Sequence, residues 1–277
     1  MDPIDEIGAT LIDIAGTIRA NLPGRGSAGA ENPSGEVQRK GDLQADDLLA
    51  DSLGNIDGVG SFASEEREAV LDVGDGLSVT VDPLDGSSNL RSNNTVGTIV
   101  AAYDAPLPAH GDDLLAAWFV LYGPLTTIVS TRGESVVERV IVDGDVYGER
   151  SVTIPSDPTV YGFGGRVPDW PNDFDEFADD ITHELKLRYG GAMVADVNQI
   201  LSHGGIFSYP ALKSAPEGKL RVQFEGYPMG AIVEAAGGAS SNGSGSLMAV
   251  EPTELHQRTP FHVGNAALIE RLEAALD

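Results

Sequence analysis

The ten residues VDPLDGSSNL (81–90) decide how this chain is read. Asp82 and Asp85 stand three apart around Pro83, and Gly86, Ser87 and Ser88 follow at once. Asp, Pro, Gly and Ser all favour turns, so a capped surface turn that opens a helix is one reading. The other reading starts from LSVTVD (77–82), which alternates as a strand does and delivers Asp82 at its carboxyl end. Two carboxylates one turn apart can then face the same hard cation. The Gly-Ser-Ser that follows offers backbone N–H groups without bulk, a suitable cradle for phosphate. Spacing alone leaves both readings standing.

Working outward, VGTIVAAYD (96–104) is another strand. LLAAWFVLYGPLTTIVSTRG and VVERVIVDGDVYGERSV continue as strands joined by Gly-centred turns, which predicts antiparallel pairing. Residues 4–20 have helical periodicity, and 43–53 read as a second helix with Asp42 as its N-cap. Between them runs a Gly-, Pro- and Ser-rich connection over 21–42, long enough to be functional or mobile. A Pro/Gly-rich break at 154–171 divides the chain into expected subdomains 1–155 and 156–277. Beyond it FDEFADDITHELKL is helical, GIFSYP and LRVQFEG are short strands, and MGAIVEAAGG is a helix closed by glycine. Such alternation predicts a layered mixed α-β fold.

Composition narrows the function. With 41% hydrophobic residues spread along 277, the chain is that of a folded protein despite its net charge of −26. No apolar run approaches the ~18 residues of a membrane span, and MDPIDEIGATLIDIAG carries acid where a secretory signal carries base. A cytoplasmic protein is expected, with no membrane partner. Cysteine is absent, which excludes disulfides, thiolate metal sites and a cysteine nucleophile. The five histidines lack the spacing of a zinc site. Lysine is confined to Lys40, Lys186, Lys213 and Lys219, and with a net charge of −26 no basic nucleic-acid-binding face is expected. A surface this acidic repels itself until salt screens it, and a cytoplasm of molar salt suits it best.

Three further acidic groups accompany the opening stretch. FASEER (62–67) contains Glu65 and Glu66, which on their own read as solvated charges in a helix's first turn. GEVQRKGD places Glu36 and Asp42 in the long connection, and RVQFEGYPMG puts Glu225 after a strand. Together, and in this order, they resemble the class I fructose-1,6-bisphosphatases of the lithium-sensitive, metal-dependent sugar phosphatase superfamily. VDPLDGSSNL with VGTIVAAYD, GEVQRKGDLQADDLL, SFASEE, RYGGAMVADVNQILSHGGIFSYP, GKLRVQFEGYPMGAIVEAAGG and ELHQRTPFHVG carry the resemblance over most of the chain.

The resemblance implies a layered α-β-α-β-α fold and Mg²⁺-dependent release of the 1-phosphate of fructose 1,6-bisphosphate, a gluconeogenic step. Roughly two or three cations per subunit are implied, with Mn²⁺ or Zn²⁺ as possible substitutes. Glu65, Asp82, Asp85 and Glu225 fall on metal-ligand positions, with the Leu84 carbonyl beside them and Glu36 completing the cluster. Asp42 and Glu66, next to Glu65, match the carboxylates that activate the attacking water. Gly86, Ser87 and Ser88 fall where the 1-phosphate is held, with Asn89 adjacent. Arg188, Tyr189, Met193, Tyr209, Lys219 and Arg221 fall on sugar- and phosphate-binding positions. Arg188 would reach a neighbouring subunit, which implies a homotetramer or at least a dimer. The chemistry is coherent, because a phosphate dianion repels its nucleophile and hydrolyses very slowly unaided. Clustered cations offset that repulsion, and arginine binds phosphate in a bidentate manner.

The pattern also departs from the family. YGFGGRVP replaces an Asn-Glu-Gly and following Tyr near the 6-phosphate, where Arg166 is expected to compensate. Leu90-Arg91 replaces Ile-Asp, and little chain precedes Ile4, so inhibition by AMP is expected to be weak or absent. The loop over 24–38 is expected to be mobile without substrate. Sedoheptulose 1,7-bisphosphate or an inositol monophosphate is the alternative substrate. A catalytically silent metal- or phosphate-binding protein is the reading from another class.

Overall fold

The computed structural model describes residues 1–22, 27–31 and 37–276. Glu36 and most of the 24–38 loop lie outside the described residues. Helix α1 (Pro3–Asn21) opens on Asp2, whose Oδ1 accepts from the Ile4 amide at 3.0 Å. Pro3 stands at its first position, where the missing N–H costs nothing. Ile4, Ile7, Leu11, Ala15 and Ile18 form its buried stripe. Strands β1 (Ser27–Glu31) and β2 (Val37–Arg39) make a small antiparallel pair. Helix α2 (Lys40–Gly54) follows directly. It begins earlier than the sequence predicts, so Asp42 lies inside the first turn and is not the N-cap. Both places put a carboxylate by the positive end of the helix, and sequence alone separates them poorly.

Next come β3 (Val59–Ser64), β4 (Leu71–Asp72), β5 (Leu77–Asp85), β6 (Val96–Tyr103), β7 (Leu114–Tyr122), β8 (Thr126–Thr131), β9 (Val136–Val142) and β10 (Asp145–Val152). They form an eight-stranded sheet in the order β10-β9-β8-β7-β6-β5-β3-β4. All its neighbours are antiparallel except β3 and β5. The remaining chain gives β11 (Val160–Phe163), α3 (Asn172–Glu184), β12 (Lys186–Leu187), α4 (Met193–His203), β13 (Gly205–Tyr209), β14 (Leu220–Arg221), α5 (Tyr227–Ala235), β15 (Ala239–Ser241), β16 (Arg258–Thr259), β17 (Phe261–Gly264) and α6 (Ala266–Leu276). A five-stranded sheet runs β12-β11-β13-β17-β15, and β14 pairs with β16 alone.

The period-2 alternation of the strands builds five layers, α-β-α-β-α. Val100 and Trp118 face α1 and α2, while their neighbours Ile99 and Phe119 face α4 and α5. On the second sheet Phe207 joins that same middle layer, whereas Ile206 turns out to α3 and α6. Helices α4 and α5 are therefore shared between the sheets, and the two sheets cannot move apart without exposing both.

Two segments differ from the sequence reading. Helix α3 stops at Glu184, because Lys186 and Arg188 donate their amides to Thr159 and Tyr161 at 3.0 and 2.8 Å, extending the second sheet. LRVQFEG is a strand only at Leu220–Arg221, and Val222–Gly226 is a π-helical turn. The reason is tertiary. The Gln223 amide donates to Ala109 O at 2.8 Å and accepts from Ala109 N at 2.9 Å. Its backbone carbonyl accepts from Thr80 Oγ1 and the Tyr103 hydroxyl, both at 3.1 Å. These partners replace a strand neighbour, and such turns recur at functional sites.

The entry to α4 is fixed by Asp196, whose carboxylate accepts from Gly190 N at 2.5 Å and Gly191 N at 3.1 Å. Burial pushes its carboxyl up to about 6, against the pull of those two amides. Stability from this group is present below about 3.8 and is lost as pH rises through about 6. Asp196→Asn should therefore be flatter than the parent between those limits, which urea unfolding across pH 4–7 measures. Phe207→Ala, opening the middle layer, should lower the unfolding free energy by about 3–5 kcal/mol. The same titration reads it.

Candidate active site

Strand β5 ends on the opening stretch, and it carries both aspartates where the sequence reading stopped it at Asp82. Its register to β6 is interrupted between Asp82 and Asp85, because Pro83 has no N–H to donate. The Pro83 carbonyl instead accepts from Thr98 Oγ1 at 2.8 Å. Asp82 Oδ1 accepts from the Leu84 amide at 3.0 Å, which fixes its rotamer. Gly86 then turns the chain with φ 72°, and a Cβ there would lie 2.2 Å from Ala192 Cβ. Only glycine fits this corner. A 3₁₀ helix over Ser87–Ser92 follows.

Asp85 reaches across to α4, where its Oδ2 accepts from the Val194 amide at 2.8 Å. Ala192 precedes that helix without a capping side chain, so Asp85 caps it from another element. This contact was not foreseen from sequence, because the partners are 109 residues apart.

The π-helical turn brings in Glu225. Asp82, Asp85 and Glu225 are all buried, with an oxygen of each within 4.8 Å of the others. Burial, then the charges of Glu65, Asp85 and Glu225, hold Asp82 well above the usual carboxylate range. Burial also pushes Asp85 up to about 7, with the Val194 amide opposing. Hard oxygen donors that resist charging until a positive partner joins them are the donor set that a divalent cation requires.

Glu65 and Glu66 occupy the tip of a tight turn, in which Arg67 N donates to Ser64 O at 3.1 Å and Glu66 N to Ser64 Oγ at 3.2 Å. They are not a helix's first turn. Glu65 N donates to Val81 O at 2.9 Å, locking the turn beside β5. Glu65 is buried, and its Oε1 lies 2.7 Å from Arg221 Nη1, which is also 3.8 Å from Glu225 Oε2. Arg221 is thus a buried cation set against the carboxylates, not an open hand toward solvent.

These groups line one cavity of about 200 Å³. Its lining combines the carboxylates Asp42, Glu65, Glu66, Asp82, Asp85 and Glu225, the stretch Leu84 and Gly86–Ser88, and Tyr209, Lys219 and Arg221. Other residues singled out in the sequence lie elsewhere. Asn89 Nδ2 donates to Thr95 O and Gly190 O, both at 2.9 Å, and so ties two loops together. Met193 is buried in the middle layer. Tyr189 is 46% exposed and stacks on Phe207 with centroids 6.5 Å apart. Arg188 is exposed and donates to Gln199 Oε1 at 3.3 Å. Arg166 and Arg91 are exposed and do not line the cavity.

Sequence models described as fructose-1-6-bisphosphatase N-terminal and C-terminal domains match residues 7–149 and 154–277. A class 1 fructose-1,6-bisphosphatase of Natronomonas pharaonis is 56% identical over 283 residues, covering 99% of both chains. One from Halobacterium salinarum is 54% identical, covering 99% of this chain and 98% of its own. The holo form of Leishmania major fructose-1,6-bisphosphatase superposes with a TM-score of 0.93 at 27% identity, over 99% of this chain and 94% of that one. The metal-type carboxylates beside a glycine-serine cradle, on a chain matched from end to end, leave one conclusion: this chain belongs to the fructose-1-6-bisphosphatase family.

Proposed function

We propose that this chain hydrolyses the 1-phosphate of fructose 1,6-bisphosphate, giving fructose 6-phosphate and inorganic phosphate. One observation carries the reading: buried carboxylates, an amide cradle and the cations Lys219 and Arg221 converge on a single small cavity. Asp82, Asp85, Glu225 and Glu65 would hold Mg²⁺, with the Leu84 carbonyl beside them. When bound, the cation supplies charge neutralisation and a more acidic water. Asp42 and Glu66 orient the attacking water and take up its proton. Gly86, Ser87 and Ser88 grip the phosphoryl oxygens beside the carboxylates. Tyr209 and Lys219 bind the sugar end, and Arg221 adds the fixed positive charge that a second phosphate favours. The cradle for the phosphate that is cut belongs to 1–155, and Tyr209, Lys219 and Arg221 belong to 156–277, which gives that division its functional sense.

Arg188 and Tyr189, exposed next to the edge strand β12 with Leu187 at 59% exposure, suit contact with a second copy. We assign Arg188 to a neighbour's sugar site within a homotetramer or dimer, and Tyr189 to the sugar site of its own chain. The acidic surface fits work in a concentrated-salt cytoplasm, and no helix among the described residues is long and apolar enough to cross a membrane.

Phosphate release should be measured at molar KCl, with and without Mg²⁺, on fructose 1,6-bisphosphate, sedoheptulose 1,7-bisphosphate and an inositol monophosphate. Release is expected only with the cation and fastest from the fructose ester. No release from any ester would overturn the proposal. Asp82→Ala should lower kcat by about 10³-fold. The same variant should lose the rise in Tm that Mg²⁺ gives the parent, since a ligand of the native state stabilises it.

A further inference from the structure

Among the described residues, Asp46 is a buried charge that the roles above leave without a task. Asp46 lies four residues after Asp42, one turn along the same face of α2, and each is only 3% exposed. Its Oδ2 accepts from Arg67 Nε at 2.7 Å. Arg67 is the closing corner of the turn whose tip carries Glu65 and Glu66. The opening corner, Ser64, also faces the Asp46 carboxylate and favours its charged form, as Arg67 does, against the cost of burial. Asp46 thus holds the closing corner of the turn from the helix that carries Asp42.

A second strut meets Arg67 from the other side. His256 Nε2 lies 2.9 Å from the Arg67 carbonyl, and the His256 ring packs on Phe224 with centroids 5.1 Å apart. Phe224 precedes Glu225 in the π-helical turn. The turn bearing Glu65 and Glu66 is therefore held between α2 and the segment bearing Glu225.

Resting on the proposed function, we propose that Asp46, acting through Arg67, is a positioning residue that holds Glu66 in register with Asp42 for attack by water. A buried ion pair contributes little net stability when weighed against apolar packing, so stability is a poor account of why a carboxylate is buried here. Placement is a better one. Two carboxylates on different elements must face one water, and a misplacement of about 1 Å can cost roughly 10²-fold in rate. Arg67 also reaches Asp47 Oδ1 at 3.1 Å, but that carboxylate is 78% exposed and contributes no comparable restraint.

The test is steady-state kinetics at saturating Mg²⁺ on Asp46→Ala, Asp46→Asn, Arg67→Ala, Arg67→Lys and the double Asp46→Asn/Arg67→Ala variant. Arg150→Ala, which removes an exposed pair with Glu138 far from the cavity, is the control. Asp46→Asn and Arg67→Ala should each lower kcat about 10–100-fold with KM within about twofold. The double variant should be no worse than either single one, because both break the same contact. Arg67→Lys should recover part of the loss, and Arg150→Ala should match the parent. Hydrogen exchange over residues 64–67 should quicken in Asp46→Asn and Arg67→Ala while α1 and the eight-stranded sheet keep their protection. That readout holds the proposal to account even where Asp46→Ala folds poorly. An active parent with both single variants within twofold of its kcat overturns the positioning role alone. A rise in KM at unchanged kcat, or a fall in Tm with parental kcat, overturns it too. A parent that releases no phosphate overturns the function and this role with it.

Discussion

Negative charge crowded at the end of one strand is the constraint that the rest of the structure answers. Asp82, Asp85 and Glu225 are buried within 4.8 Å of one another, with Glu65 close enough to raise Asp82 further. In isolation such a cluster would swell or protonate. Each member is pinned instead: Asp82 by the Leu84 amide, Asp85 by α4, Glu225 by the Arg221 amide at 2.6 Å, and Glu65 by the Arg221 guanidinium. Four elements from both halves of the chain are needed to do this. The five-layer stack can be understood as the scaffold that lets them meet.

Much of this was legible from residue order. The alternation in β5 to β10 announced the antiparallel sheet, and the acids with Gly86-Ser87-Ser88 announced the cavity. What escaped was set by partners distant in sequence. VQFEG alternates like a strand, yet Gln223 finds its hydrogen bonds on Ala109, Thr80 and Tyr103 and winds into a turn. Glu65-Glu66 looked like a solvated helix start because nothing local reveals Arg221 or Asp46. Asn89 and Met193 match a binding pattern by position, and the contacts that residue order does not reveal are a tie between two loops for one and core packing for the other. Local sequence reports period and turn chemistry. It does not report which distant side chain will meet a buried polar group.

The charge balance separates surface from site. With 43 acids against 17 lysines and arginines, most carboxylates have no cation to meet and are left to solvent and salt. Several of the arginines hold the layers together at the surface, as Arg132 does with Asp2 and Asp5, and Arg271 with Glu184. Arg221 is of another kind, 3% exposed and surrounded by carboxylates. Salt screens the first group and hardly reaches the last. A change of ionic strength therefore acts on the shell of this molecule far more than on the interior of its cavity.

The contact from Asp85 to Val194 has a consequence of a different order. One oxygen of that carboxylate belongs to the helix that begins just after Arg188, Tyr189 and Gly190, while the other group of contacts belongs to the acidic cavity. A single side chain thus stands in two equilibria at once. Whatever a ligand in the cavity does to the geometry of Asp85 it does also to the start of α4, and a ligand on that loop acts back with equal free energy. Occupancy of the cavity and of the loop that carries Arg188 and Tyr189 would be coupled through one carboxylate.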